Sequence, residues 1–320
     1  MIRETEAFPY SDGQKRYHTY DYAMRRLFGE KTVRITLDGG FTCPNLDGTV
    51  GTRGCIFCSA RGSGDFCAAR TLPLAEQFRQ VRSVLERKWG KTKCLAYFQA
   101  FTGTYAPVDV LRQRYEEALA LPDTAGLCIA TRCDSIGDDV LALLSELNEK
   151  TELFVELGLQ SVHDETLARI RRGHDYASFL HCYRRLAACG IRTTVHLIDA
   201  LPGETTEQML RTAQAVGALR PWGVKFHMLQ ILRGTDLAEP YEKGEVPLLS
   251  RDEYIDLVCR QIELLPPETV VCRVCADSAK DDLIAPLWTR RKFDVLNGVD
   301  KWFRMQNSHQ GIRCPASGSF

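Results

Sequence analysis

The stretch TVRITLDGGFTCPNLDGTVGTRGCIFC, residues 32–58, decides how the rest of the chain is read. Its first seven residues have the β-rich, nearly continuous apolar character of a strand covered on both faces. A glycine-rich loop follows at the strand's C-terminal end and carries Cys43, Cys55 and Cys58. In parallel α/β barrels that end of the strands is where active sites are built.

The same alternation continues outward. Further strands are expected near residues 94–100, 127–131, 153–160, 192–198 and 223–230. Helical periodicity falls between them, around residues 74–88, 108–120, 138–149, 176–188 and 205–219, with Gly190 and Gly126 where helix C-caps are expected. Six βα units fall short of the eight in a closed barrel. The expected fold is therefore α/β, a partial (β/α)6 TIM-like barrel over residues 31–234, with an N-terminal segment (1–30) before it. A doubly wound Rossmann sheet is the rival, but no G-x-G-x-x-G follows the first strand. Beyond Thr235 the rhythm changes to a loop, a helix from Ser250 to Leu264, a Pro266–Pro267 break, a strand TVVCRV and a Trp-containing helical tail. This is read as a small α+β extension (235–320) packed on the barrel.

Composition narrows the function. With 320 residues, 44% hydrophobic and 26% charged, the chain can bury one large core or two medium ones. Lys plus Arg equals Asp plus Glu at 41 each, so the overall field gives no reason for a polyanionic partner, and any nucleic-acid contact must be local. Arg169, Arg171, Arg172 and His174, then Arg290, Arg291 and Lys292, are the candidate local runs. MIRETEAFPYSDGQKRYH holds no signal-like apolar run, and no window approaches the roughly 18 apolar residues of a membrane helix. A soluble, cytoplasmic protein with no membrane partner is expected. Thirteen cysteines, an odd number spread over a long chain, favour metal ligation over disulfide stapling.

Three thiolates can hold three irons of a cubane and leave the fourth open, whereas a structural zinc wants four protein ligands. By spacing alone, a zinc knuckle completed by Cys67 stays open beside the [4Fe–4S] reading. Cys272 and Cys275 invite a second metal, but an odd separation on a strand sends them to opposite faces, so no auxiliary cluster is expected.

Several segments in order resemble the radical S-adenosylmethionine superfamily, and within it the YhcC/YtqA-like group. They are ITLDGGFTCPNLDGTVGTRGCIFCSARGSGDF, YFQAFTGTYAPVDVL, IATRCDSIGDDVL, VELGLQSVHDETLARIRRGHDY, LPGETTEQML and GVKFHMLQILRGTDLAEPYEKGE. The resemblance implies a [4Fe–4S] cluster on Cys43, Cys55 and Cys58, S-adenosylmethionine on the open iron, and a 5′-deoxyadenosyl radical. It places Phe57 beside the adenine, Gln99 through Tyr105 (with Thr102, Gly103 and Thr104) near the methionyl amino group, and Gln160 on the ribose. It also places Arg172 on the methionyl carboxylate, for which the guanidinium fork is suited. Glu156 is a cofactor or substrate contact, and a separation of four from Gln160 puts both on one strand face with Gly158 between them. His196 and His227 are candidates to act on substrate. Relatives usually have Gly in place of Ala200 and an apolar residue in place of Asp199, so the added methyl group and carboxylate depart from the pattern that allows a close adenine approach at this edge. Arg273 and Asp277 match a family segment in the tail.

The extension resembles that of the Elongator catalytic subunit, which implies a tRNA substrate and wobble-uridine chemistry, from 5-carboxymethylaminomethyluridine to 5-aminomethyluridine. A flavodoxin or ferredoxin-type electron donor is implied with it. A small-molecule or porphyrin-like substrate is the alternative within the superfamily, and a zinc-stabilised RNA-binding protein the alternative outside it.

Overall fold

The structure is a computed structural model describing residues 8–13, 15–277 and 281–314. Residues 1–7 of the stretch read for a signal and residues 315–320 of the extension lie outside the described residues. In chain order the elements begin with α1 (Tyr20–Phe28), β1 (Thr32–Leu37), α2 (Leu74–Trp89), β2 (Lys93–Phe98), α3 (Val108–Leu119), β3 (Thr124–Thr131) and α4 (Asp138–Lys150). They continue with β4 (Glu152–Gln160), α5 (Asp164–Arg169), α6 (Tyr176–Ala188), β5 (Arg192–Asp199), α7 (Thr206–Ala218) and β6 (Gly223–Met228). The tail adds β7 (Ile231–Leu232), α8 (Ala238–Glu242), α9 (Arg251–Glu263), β8 (Val270–Arg273), β9 (Leu283–Ala285) and α10 (Lys292–Met305).

Seven strands form one parallel sheet in the order β1-β2-β3-β4-β5-β6-β8, the curved partial barrel that the βα rhythm predicts. The seventh strand comes from the tail: Val270 and Val271 pair in parallel with Gly223 and Val224, so the extension lengthens the barrel sheet as well as packing against it. Antiparallel β7 and β9 make a separate ribbon.

Local sequence sets the helix ends. Thr205 and Ser250 each complete a reciprocal capping box, with Gln208 and Glu253 as partners, and Asp175 caps α6 through Ser178 N–H at 2.8 Å. Gly190 takes the left-handed conformation just past α6 (φ 65°), as expected. Gly126 does not cap a helix. It lies inside β3 opposite Glu152, where a Cβ would come within 2.2 Å of the Glu152 carbonyl oxygen; close strand approach, not chain reversal, requires glycine there.

Strand alternation divides each strand between two cores. Ala96, Phe98, Leu127, Ile129, Val155 and Leu157 face outward into the large core under the helices. Leu95, Tyr97, Cys128 and Phe154 face the lumen, where Met24 of α1 packs among them. The lumen is thus filled by apolar side chains at one level, and its polar chemistry is layered above.

Candidate active site

A cavity of about 350 Å³ opens among the strand ends, with all three cysteines of the β1 loop on its wall. Tight turns build this mouth. Cys58 N–H donates to Cys55 O at 3.1 Å, and Gly54, at φ 68°, turns the chain so that its N–H reaches Asn45 O at 2.7 Å. Buried Asn45 donates to Arg171 O at 2.7 Å and sits 3.5 Å from Cys55 Sγ, tying the loop to the segment after α5. Burial, then the proximity of Cys55 and Cys43, pushes the Cys58 thiol up to about 12. Cys67 is buried elsewhere, and its thiol is pushed up by burial and then by Asp38. Among the described residues no three His, Cys, Asp or Glu side chains close on a single metal ion, so the four-ligand zinc knuckle is not formed. A cubane distributes three thiolates over three irons and does not need them to converge on one point.

The wall between mouth and floor carries polar atoms that lack partners. Gln160 Oε1, Thr102 Oγ1 and Arg172 Nε are buried and unpaired among the described residues, an arrangement that suits a polar ligand. Arg172 is 6% exposed, which rules out a solvated helix end. Its Nη2 donates to Gly158 O at 2.8 Å and its Nη1 lies 3.7 Å from Cys55 Sγ. Gly158 permits this crossing, because a Cβ would stand 2.6 Å from Arg172 Nη2 and 3.0 Å from Gln160 Nε2. Simple alternation does not place Gln160: the ladder shifts between Gly158 and Gln160, and Gln160 returns to the cavity through φ 79°. Phe57 lines the cavity and packs against the smaller buried cluster that holds Leu167, Ile170, Leu229 and Ile231, while Gln99 lines the cavity and donates to Ser63 O at 2.9 Å.

Gly103 and Thr104 fall outside the cavity wall. Gly103 donates to Ala130 O at 2.8 Å and accepts from Tyr115 Oη at 2.6 Å, and the Thr104 hydroxyl donates to Ser135 O at 2.7 Å. They shape the turn that presents Thr102. Asp199 is buried outside the cavity wall, accepting from Gln261 of α9 at 2.7 Å. Burial pushes Asp199 up to about 7.

The floor is a charged layer centred on fully buried Glu156. Tyr97 Oη donates to it at 2.5 Å and His196 Nε2 at 3.0 Å, and Lys225 Nζ forms a short ion pair with the same oxygen. Arg34 Nη1 lies 2.9 Å from the other oxygen, an ion pair outside hydrogen-bond geometry, while Arg34 Nε donates to Tyr20 Oη at 3.0 Å. Burial alone would raise the Glu156 carboxyl, but Arg34 and Lys225 hold it well below the usual carboxylate range. Burial lowers Lys225 to about 8 and, with Lys225 nearby, His196 to about 4. A carboxylate only accepts, so neutral His196 carries its proton on Nε2. The His196 and His227 rings lie 5.3 Å apart.

Tyr97, Arg34 and Lys225 were not anticipated. Lys225 within GVKFHM and Arg34 within TVRITL are lone cations in apolar strands, and that was the available signal. Arg132, 3% exposed, was missed too; it pairs with Asp134 and donates to Arg172 O at 2.8 Å. The basic run at 169–174 is engaged internally: Arg169 donates to Pro202 O at 2.6 Å, Arg171 pairs with Asp236, and Arg172 is buried. Cys272 and Cys275 have separate surroundings, Cys272 beside Thr194 and Cys275 in the outer core.

The radical SAM superfamily profile matches residues 48–216, and the radical SAM C-terminal domain profile matches residues 221–305. The chain belongs to the radical SAM superfamily. It is an enzyme of that class, whose cofactors are a [4Fe–4S] cluster and S-adenosylmethionine. It is 47% identical over 310 residues to the uncharacterized protein YtqA of Bacillus subtilis, covering 97% of this chain and 96% of that one. A tRNA uridine(34) acetyltransferase of Methanocaldococcus jannaschii is 27% identical over 208 residues, 62% of this chain and 36% of that one. In fold it is similar to the archaeal Elp3 of Methanocaldococcus infernus, with a TM-score of 0.64 and 18% identity over 87% of this chain and 64% of that one. Among the described residues no helix is long and apolar enough to cross a membrane.

Proposed function

We propose that this enzyme modifies the wobble uridine of tRNA in the cytoplasm, converting 5-carboxymethylaminomethyluridine to 5-aminomethyluridine with electrons from a flavodoxin or ferredoxin-type donor. The observation that carries the reading is one continuous cavity with three thiols at its mouth and a preformed charged layer at its floor. The partial likeness to a tRNA uridine(34) acetyltransferase supports RNA as the substrate class. When bound, the cluster and S-adenosylmethionine would supply a carbon radical able to take a hydrogen from the side-chain carbon beside nitrogen.

In this reading Cys43, Cys55 and Cys58 hold the cluster. Arg172 presents its guanidinium to the methionyl carboxylate, Thr102 and Gln99 serve the amino group, Gln160 the ribose and Phe57 the adenine face. Gly103 and Thr104 act by fixing the turn that carries Thr102. Tyr97, His196 and Lys225 converge on one Glu156 oxygen and Arg34 faces the other, so the carboxylate orients His196 and Lys225 and does not itself act as a base. His196 and His227 face the substrate as neutral groups.

The test is anaerobic reconstitution with iron and sulfide, then assay for 5′-deoxyadenosine and nucleoside composition with tRNA from a strain lacking the gene. Accumulation of 5-aminomethyluridine at the expense of the carboxymethylated nucleoside is expected. An unchanged nucleoside profile, or turnover stimulated by metabolites and not by tRNA, excludes it.

A further inference from the structure

Arg273 is the one residue of the tail strand β8 that reaches both the main cavity and an adjoining chamber of about 180 Å³. That chamber is walled by His196, His227 and Gln160 but by none of the three clustered cysteines. Strand register explains the position: Arg273 pairs with Lys225, and Lys225 with His196, in one row across β8, β6 and β5, with His227 two residues further on the same face.

Charge in this row is unevenly matched. Arg34 and Lys225 are both committed to Glu156. Asp277, the acid nearest Arg273, accepts from Lys292 at 2.9 and 3.0 Å and stands 3.7 Å from Arg273. Arg273, with its side chain 30% exposed, thus shares one carboxylate with Lys292 and makes no hydrogen bond to it, so its guanidinium N–H groups stay available to the chamber. His227 Nε2 is buried beside it and unpaired among the described residues. Asp65 and Asp277 also line the chamber, Asp65 accepting from Ser59 Oγ at 3.2 Å and Asp277 from Lys292 at 2.9 Å. A guanidinium fork beside an unpaired imidazole nitrogen, both facing one small open chamber, is suited to receive a carboxylate.

We propose that Arg273, assisted by His227, anchors a carboxylate carried by the substrate, and so selects a wobble substituent ending in a carboxymethyl group. This deepens the reading above and rests on it for the identity of the nucleoside. Arg172, at the thiol end of the cavity, and Arg273, in the chamber without thiols, take two different carboxylates, one of the cofactor and one of the substrate.

The experiment compares the reconstituted holoenzyme with R273Q and R273K on tRNA bearing carboxymethylaminomethyluridine and on the same tRNA with that carboxylate masked as its methyl ester. Wild type should prefer the acid by about 10²-fold in kcat/KM, the scale for a desolvated charge pair. R273Q should bring the two substrates within about 3-fold by losing the acid alone, and R273K should fall between. Iron content and S-adenosylmethionine affinity at wild-type values show that the variants are folded, and R273K carries the comparison if R273Q loses iron. A preference retained in the variants, or equal loss on both substrates, overturns the anchor. If wild type turns over neither tRNA, the wobble-uridine reading has failed. Carboxyl-labelled sarcosine, the minimal mimic of the substituent, then decides the anchor by NMR: line broadening with wild type and none with R273Q supports it. Broadening absent from wild type, or equal in both, overturns it.

Discussion

The mouth and the floor of the cavity are built in opposite ways. The mouth is one loop after β1, shaped by Gly54, by buried Asn45 and by turns that bring Cys55 and Cys58 together. The floor takes single residues from β1, β2, β4, β5 and β6 and joins them through Glu156. On the proposed assignment, removing a thiol from the mouth forfeits a ligand but strands no charge. Removing a floor residue leaves buried charges without partners, which costs several kcal/mol. A site of this kind separates its chemistry, carried by a replaceable ligand set, from its framework, carried by a network that must be complete.

The sharpest way to break that contrast is to exchange the expected phenotypes. Cys55→Ser should drop iron incorporation and 5′-deoxyadenosine formation to background, while the unfolding free energy of the metal-free protein from urea titration changes by less than about 1 kcal/mol. A large loss of metal-free stability would show that the mouth is framework as well. Glu156→Ala should do the reverse in urea titrations, destabilising the metal-free protein by about 3–5 kcal/mol because Lys225 and Arg34 lose their counter-charge. A neutral result there removes the distinction. Where the two regions meet, Gly158→Ala sets a methyl group against Arg172 and Gln160, and S-adenosylmethionine binding by calorimetry should weaken about 10-fold with iron content unchanged.

The smallest effect concerns a second buried carboxyl, on β5, that sits outside the site. Asp199 is held at about 7 against an ordinary value of 3.8, so the folded protein keeps it protonated where the unfolded chain ionises it. The Asp199 contribution to stability should therefore fall as pH rises from about 4 to 7 and level off above. Asp199→Asn abolishes that fall, and its stability relative to wild type should be about 1–3 kcal/mol greater at pH 8 than at pH 4. Equal differences at the two pH values would mean that Asp199 is ionised in the fold. Glu156 and Asp199 thus measure what three donors and an added ion pair, against one donor, do to a carboxyl of similar burial.

Legibility followed the same division. Cys43, Cys55 and Cys58 could be read from spacing because sixteen residues of one loop contain them, and the strands could be read because burial on both faces makes them apolar. Gly126 was misread because a glycine before a strand and a glycine within one look alike until the neighbouring carbonyl is in place. Gln160 reached the expected cavity by a route that period-two reasoning does not contain, a ladder shift and a positive φ. Thr104 looked like a ligand-facing hydroxyl, but its partners on Ser135 and Thr131 lie across a turn.

The sequence by itself determined the βα rhythm and the three-thiol loop, because each is written in short-range pattern and residue type, and the class of chemistry followed from the resemblance of whole segments to a known superfamily. Tertiary structure alone decided that the tail supplies a seventh strand, that Arg34, Tyr97 and Lys225 converge on Glu156, and that Arg273 arrives opposite Lys225. The reason is geometric: register between strands far apart in the chain fixes which charges meet, and no local property of a residue records its neighbour across a sheet.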